Sequence, residues 1–136
     1  MALKVFTDTN IIIDFIEQRP FDLAHVNKIF NSAEDNNIDI IVSESVITNA
    51  LYITRLKNQI IKLLQIVTVV CIDTETCKNA LRSTFKDKED GILYYGAFKG
   101  KADYFIRRNK KDFLNFSLSQ LPVISPKELM DKISIK

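Results

Sequence analysis

Five short apolar runs punctuate the chain: LKVF from Leu3, IDIIVS from Ile38, VTVVCI from Val67, DYFIR from Asp103 and LPVIS from Leu121. None shows the strict polar alternation of a half-exposed sheet, so each reads as a buried strand of a parallel sheet. Segments of helical period lie between them, at about 9 to 18, 21 to 36, 45 to 66, 74 to 84 and 90 to 100, with a last one near 126 to 134. A polar break at Lys57-Asn58-Gln59 leaves open whether the third is one bent helix or two short ones. Strands alternating with helices predict an α/β fold: a three-layer α/β/α sandwich around a central, mainly parallel sheet of about five strands, joined by right-handed crossovers.

The punctuation between elements agrees. Pro20 separates the first two helices, and the cluster Glu34 to Asn37 forms a turn before the second strand. Asp73 and Thr74 offer caps for the helix through Cys77, and Ser125-Pro126 places proline at the first position of the last helix. No internal repeat or composition shift divides the 136 residues, so a single domain over 1–136 is expected.

Charge changes this picture little at first. Nineteen basic against seventeen acidic residues give a net charge of +2, which does not announce a nucleic-acid binder by itself. No stretch is long and apolar enough for a membrane span, and the start lacks a charged-then-apolar leader, so a cytoplasmic protein is expected. Cys71 and Cys77 form no C-x-x-C pair and read as small buried hydrophobes.

The candidate chemistry lies at the strand ends. In an open parallel sheet ligands collect beyond the carboxyl ends of the strands. There the chain places Asp8-Thr9-Asn10, then Ser43-Glu44-Ser45 with Asn49 one turn on, and Asn109 with Asp112; Asp87, Glu89 and Asp90 open the helix before the fourth strand. Each acid has a plainer reading. Asp8, Asp87 or Asp90 could cap a helix, and Glu44 could be a solvated first-turn residue. Taken together, carboxylates gathered from separate strand ends repel one another unless a cation joins them. Mg²⁺ or Mn²⁺ takes oxygen ligands and keeps waters, one of which can attack a phosphodiester. Beside them "RRNKK" sets Arg107, Arg108, Lys110 and Lys111 in a basic rim suited to RNA phosphates, or simply to solvent. Tyr94, Tyr95 and Phe98 recur at helical spacing, which suits a core or a dimer contact more than base stacking. A phosphoryl-accepting signalling domain would instead use Asp73, which follows the third strand, but the first strand then lacks the paired acids such a domain needs.

At these positions the sequence resembles a known family. "VFTDTNIIIDFI" resembles the opening of PIN domains, the fold of VapC-like toxin ribonucleases, and "SESVITNALYI" resembles their second strand-to-helix segment. "DKEDGILYYGAFKGKADYFIRRNKKDF" is similar to their third block, and "LPVISPKELM" to their ending. The resemblance implies a metal-dependent endoribonuclease, the toxin of a type II toxin–antitoxin pair, with a cognate antitoxin and a homodimer. It carries the acidic site onto Asp8, Asn49, Asp90 and Asn109, with Asp8 and Asp90 as metal ligands and Asp112 best placed to add charge. Glu44 and Asp87 could support them, and Asn10 could steady Asp8 or the scissile phosphate. Two residues depart from the pattern: Asn49 stands where most active toxins carry Glu, and Arg107 where Thr is usual. A branch with Asn at that place, or a degenerate scaffold that binds RNA or protein without cutting, follows from those departures.

Overall fold

The computed structural model describes residues 2–108 and 121–134, apart from the side chain of Ser134. Asn109, Lys110, Lys111 and Asp112 lie outside them. Five strands, β1 (Leu3–Thr7), β2 (Ile38–Ser43), β3 (Val67–Val70), β4 (Tyr104–Ile106) and β5 (Val123–Ile124), form one sheet in the order β3-β2-β1-β4-β5. Every pairing is parallel. Seven helices are interleaved: α1 (Thr9–Glu17), α2 (Leu23–Glu34), α3 (Glu44–Thr54), α4 (Lys57–Leu63), α5 (Thr74–Arg82), α6 (Lys88–Lys99) and α7 (Pro126–Ser134).

Successive strand residues point to opposite faces of a sheet, so adjacent buried positions mean that both faces are covered. Val5, Phe6 and Thr7 are all sealed from solvent, as are Ile40, Ile41, Val42 and Ser43. The fold is therefore the expected three-layer sandwich. Phe6 stacks on Phe105 across the β1–β4 pair, with ring centroids 5.2 Å apart, and Phe15 stacks on Phe30 to join α1 to α2 at 4.0 Å.

Two expectations need correcting, and one left open is decided. β3 is an edge strand with Thr68 and Val69 exposed, because no described residue pairs with its outer side, so it is not a buried strand like the others. Cys71 is exposed and Cys77 only half-buried, for Cys71 follows that edge strand and Cys77 rides an outer face of α5. Of the two readings left open for 45 to 66, two short helices is the one found, α3 and α4, because Arg55 adopts a left-handed conformation (φ 56°) that ends α3.

A candidate acidic active site

The sheet order makes the seam between β1 and β4 a switch point: β1 connects onward to β2 on one side, while β4 lies on the other. At such a point the following segments diverge and leave a crevice. Register decides which residues meet there. Thr7 pairs with Ile106, so the next residue on each strand, Asp8 and Arg107, emerge side by side. The backbone ladder reaches this point, since Asp8 N–H donates to the Ile106 carbonyl at 3.4 Å and Arg107 N–H to that of Ile124 at 3.0 Å.

Asp8 has two oxygens and two uses for them. Oδ1 accepts from the Ile11 N–H at 3.2 Å, which caps α1, and Oδ2 lies 3.7 Å from the Arg107 guanidinium. Cap and cleft wall are thus one group. The same Arg107 nitrogen donates to Asp90 Oδ1 at 3.0 Å, so one cation faces carboxylates that stand 82 positions apart in the chain. All three side chains are largely withdrawn from water. Burial pushes the Asp8 carboxyl up to about 6; Arg107 and the Ile11 N–H oppose the shift, and Asp90 adds to it.

Asp90 reaches the crevice because α6 starts there. Asp87 is the cap of that helix, accepting from the Asp90 N–H at 3.1 Å. Gly91 permits the close approach of Phe85, whose Cβ would stand only 3.2 Å from a side-chain carbon at that position. Deeper in the same helix, Tyr94 is fully buried and its hydroxyl donates to the Leu121 carbonyl at 2.7 Å.

The remaining candidates divide. Asn10, Asp87 and Glu89 line a crevice of about 170 Å³ together with Asp8, Asp90 and Arg107. Asn49 does not line it; its Nδ2 donates to Glu89 Oε1 at 3.4 Å. Glu44 turns toward the end of β3, where Oε1 accepts from the Ile72 N–H at 3.4 Å. Arg108 lies beside Arg107 and pairs with Asp14, its Nε 3.4 Å from Oδ2. Asp103 clamps the start of β4 to β1, accepting from the Lys4 N–H at 2.8 Å. Asp73 caps α5 and pairs with Lys99, whose hydrogen bond holds its carboxyl well below the usual carboxylate range. That arrangement, and a strand order that is not the 2-1-3-4-5 of a receiver, dispose of the signalling alternative.

Sequence reasoning did not single out Asp14, which is fully buried on α1. Its signal was present, a carboxylate inside the apolar run of "IIIDFI".

Among the described residues, no three His, Cys, Asp or Glu side chains converge into a cage for a metal. The donor chemistry still suits a hard cation. Asp8 and Asp90 offer oxygens alone, Asn10 adds a neutral one nearby, and a guanidinium already stands as the cation between the acids. Asp8 and Asp90 would hold such an ion, with Asn10 nearby.

No helix among the described residues is long and apolar enough to cross a membrane. No curated protein sequence matches the chain at a significant level. Solved structures do. A toxin–antitoxin complex from Klebsiella pneumoniae superposes with a TM-score of 0.67 at 20% identity, covering 90% of this chain and 97% of that one. VapBC2 from Rickettsia felis, bound to a DNA fragment from its promoter, gives 0.63 at 18% identity over 90% and 98%. VapC20 from Mycobacterium tuberculosis, a sarcin–ricin loop cleaving toxin, gives 0.57 at 12% identity over 74% and 86%. At these identities the likeness is one of fold. The PIN domain family model matches residues 4–111, most of the chain, Asp8 and Asp90 included, and on that match the chain belongs to the PIN domain family.

Proposed function

We propose that the chain is a divalent-metal-dependent endoribonuclease acting as the toxin of a type II toxin–antitoxin pair in the cytoplasm. The observation that carries this reading is the meeting of Asp8 and Asp90 on one nitrogen of Arg107, at the switch point of the sheet. Bound there, Mg²⁺ or Mn²⁺ supplies Lewis-acid activation of water for attack on a phosphodiester. Asp8 and Asp90 hold the ion. Oδ1 of Asp8 is engaged by α1, and its Oδ2 faces Arg107. Asn10 steadies the scissile phosphate, and Asp87 and Glu89 keep the wall of the crevice acidic. Arg107, beside the acids, would balance the charge of an incoming phosphate. Arg108 extends the basic rim toward the RNA backbone; the roles expected of Lys110, Lys111 and of Asn109 or Asp112 fall on residues outside the described ones.

An antitoxin covering this crevice and a homodimer belong to the same reading. The antitoxin is supported by the fold shared with toxin–antitoxin complexes.

The test is RNA cleavage by the wild-type chain with Mg²⁺ or Mn²⁺, beside Asp8→Asn and Asp90→Asn. Both variants should lose cleavage. Equal cutting by all three proteins would assign the activity to a contaminant. Asn49, engaged with Glu89 rather than lining the crevice, favours a second reading, a scaffold that binds RNA or protein without cutting. Wild-type chain that binds RNA but leaves it intact with both ions would establish that reading instead.

A further inference from the structure

Beside the acid pair the crevice opens into a hollow of about 390 Å³, lined by Asp8, Asn10, Phe21, Arg107 and Arg108. Phe21 is the unusual member. It is an aromatic side chain 52% exposed, set against carboxylates, in the turn between α1 and α2. The backbone holds it there in a costly shape. Gln18 and Asp22, on either side, both sit at φ 53°, a region that side chains with a Cβ adopt at a cost in energy, and Pro20 stiffens the turn between them. Hydrogen bonds hold the turn in place. Gln18 Nε2 donates to the Phe15 carbonyl at 2.7 Å and to Asn27 Oδ1 at 3.0 Å, and Asp22 pairs with the His25 ring.

The Arg108 guanidinium lies over the Phe21 ring, with Cζ 4.4 Å from its centroid. Arg108 is in turn held by Asp14, a carboxylate with no solvent exposure, neither oxygen of which accepts a hydrogen bond among the described residues. A buried charge lacking hydrogen bonds is expensive, and what it secures is the position of Arg108. Asp14, Arg108 and Phe21 thus form a relay from the core to the rim of the hollow.

We propose that Phe21 and Arg108 form a stacking subsite for an unpaired nucleobase of the RNA strand, flanking the acid pair Asp8 and Asp90. The inference rests on the ribonuclease reading above. An aromatic face backed by a guanidinium accepts the π-face of any base, and Arg108 also meets the strand's negative charge. A base paired within a duplex cannot present that face, so the subsite restricts the chain to single-stranded or looped RNA. Asp14 is a positioning residue for it.

The test uses the full chain in an Asp8→Asn background, so that bound RNA is not cut. Fluorescence anisotropy is measured on a short unpaired RNA and on a blunt duplex, and 5-iodouridine in the unpaired RNA is photocrosslinked to the protein. Phe21→Ala should weaken binding of the unpaired strand roughly 5- to 100-fold, the range that base–aromatic stacking spans on truncation. Duplex binding should not change. Phe21→Trp, which keeps an aromatic face and reports folding, should retain affinity, and the crosslink should map to the peptide containing Phe21. If Phe21→Ala binds the unpaired strand as tightly as its parent while the wild-type chain cuts RNA, the subsite is wrong and the nuclease reading stands. If the parent binds no RNA and the wild type cuts none, both fall. If Phe21→Ala keeps its RNA affinity and loses an antitoxin peptide instead, the surface docks protein and the proposal is overturned.

Discussion

Replacing Asp8 with asparagine should make the metal-free chain more stable, although it removes a residue proposed to hold the ion. Asp8 is almost wholly buried, and burial raises its carboxyl from 3.8 to about 6 even after Arg107 and the Ile11 N–H have pulled it down. The native state therefore holds the proton more tightly than the unfolded state does. Above about pH 6 the fold carries an ionised group it disfavours, and between 6 and 3.8 that penalty disappears as the group is protonated. A shift of roughly two units corresponds to about 3 kcal/mol at pH 7.5. Asparagine is a comparable N-cap, so the start of α1 should survive the change. Urea unfolding in EDTA at pH 7.5 should show Asp8→Asn more stable by up to about 3 kcal/mol, or on the order of 10 °C in Tm. At pH 4 the two proteins should nearly coincide. An Asp8→Asn variant that is less stable at pH 7.5, or whose advantage is the same at both values, would refute the reasoning.

Other outcomes follow from the same geometry. Adding Mn²⁺ at pH 7.5 should raise the Tm of the wild-type chain and leave that of Asp8→Asn nearly unchanged, as read by differential scanning fluorimetry. Arg107→Gln should lower metal-free stability by about 3 kcal/mol, because two carboxylates lose the cation between them. The same change should tighten Mn²⁺ binding at least about tenfold, since the ion no longer has to displace a charge-assisted hydrogen bond; electron paramagnetic resonance of free Mn²⁺ measures this. Tyr94→Phe removes the buried donor to the Leu121 carbonyl and should cost about 1 kcal/mol in urea unfolding, with cleavage kinetics showing whether the set of α6 is disturbed.

Much of the fold could be read from the chain because buried parallel strands leave continuous apolar runs. IDIIVS is such a run and is β2 from end to end. What escaped reading depended on neighbours. VTVVCI has the same apolar character, yet hydropathy does not say that the strand lies at the sheet edge, where Val69 and Cys71 meet solvent. Nor does an arginine at position 55 advertise a left-handed turn, since that conformation is stabilised by what surrounds it.

The site divides in the same way. Asp8 and Asp90 stood out because strand ends and helix starts leave marks in the sequence. The place of Arg107 between them rests on the pairing of Thr7 with Ile106, a register that only the folded sheet defines. Asn49 and Glu44 occupied suggestive positions, but the rotation of α3 sends one to Glu89 and the other to the Ile72 N–H.

Asp8 Oδ1 belongs to the helix and Oδ2 to the crevice, and this division limits what evolution or design can place there. Glutamate has the same charge and chemistry, yet its extra methylene moves both oxygens outward together. It can keep the first turn of α1 wound or hold its station opposite Arg107, but its reach does not suit both tasks. The short side chain is therefore required by two neighbours at once, and Asp8→Glu should impair the site more than its conserved charge suggests.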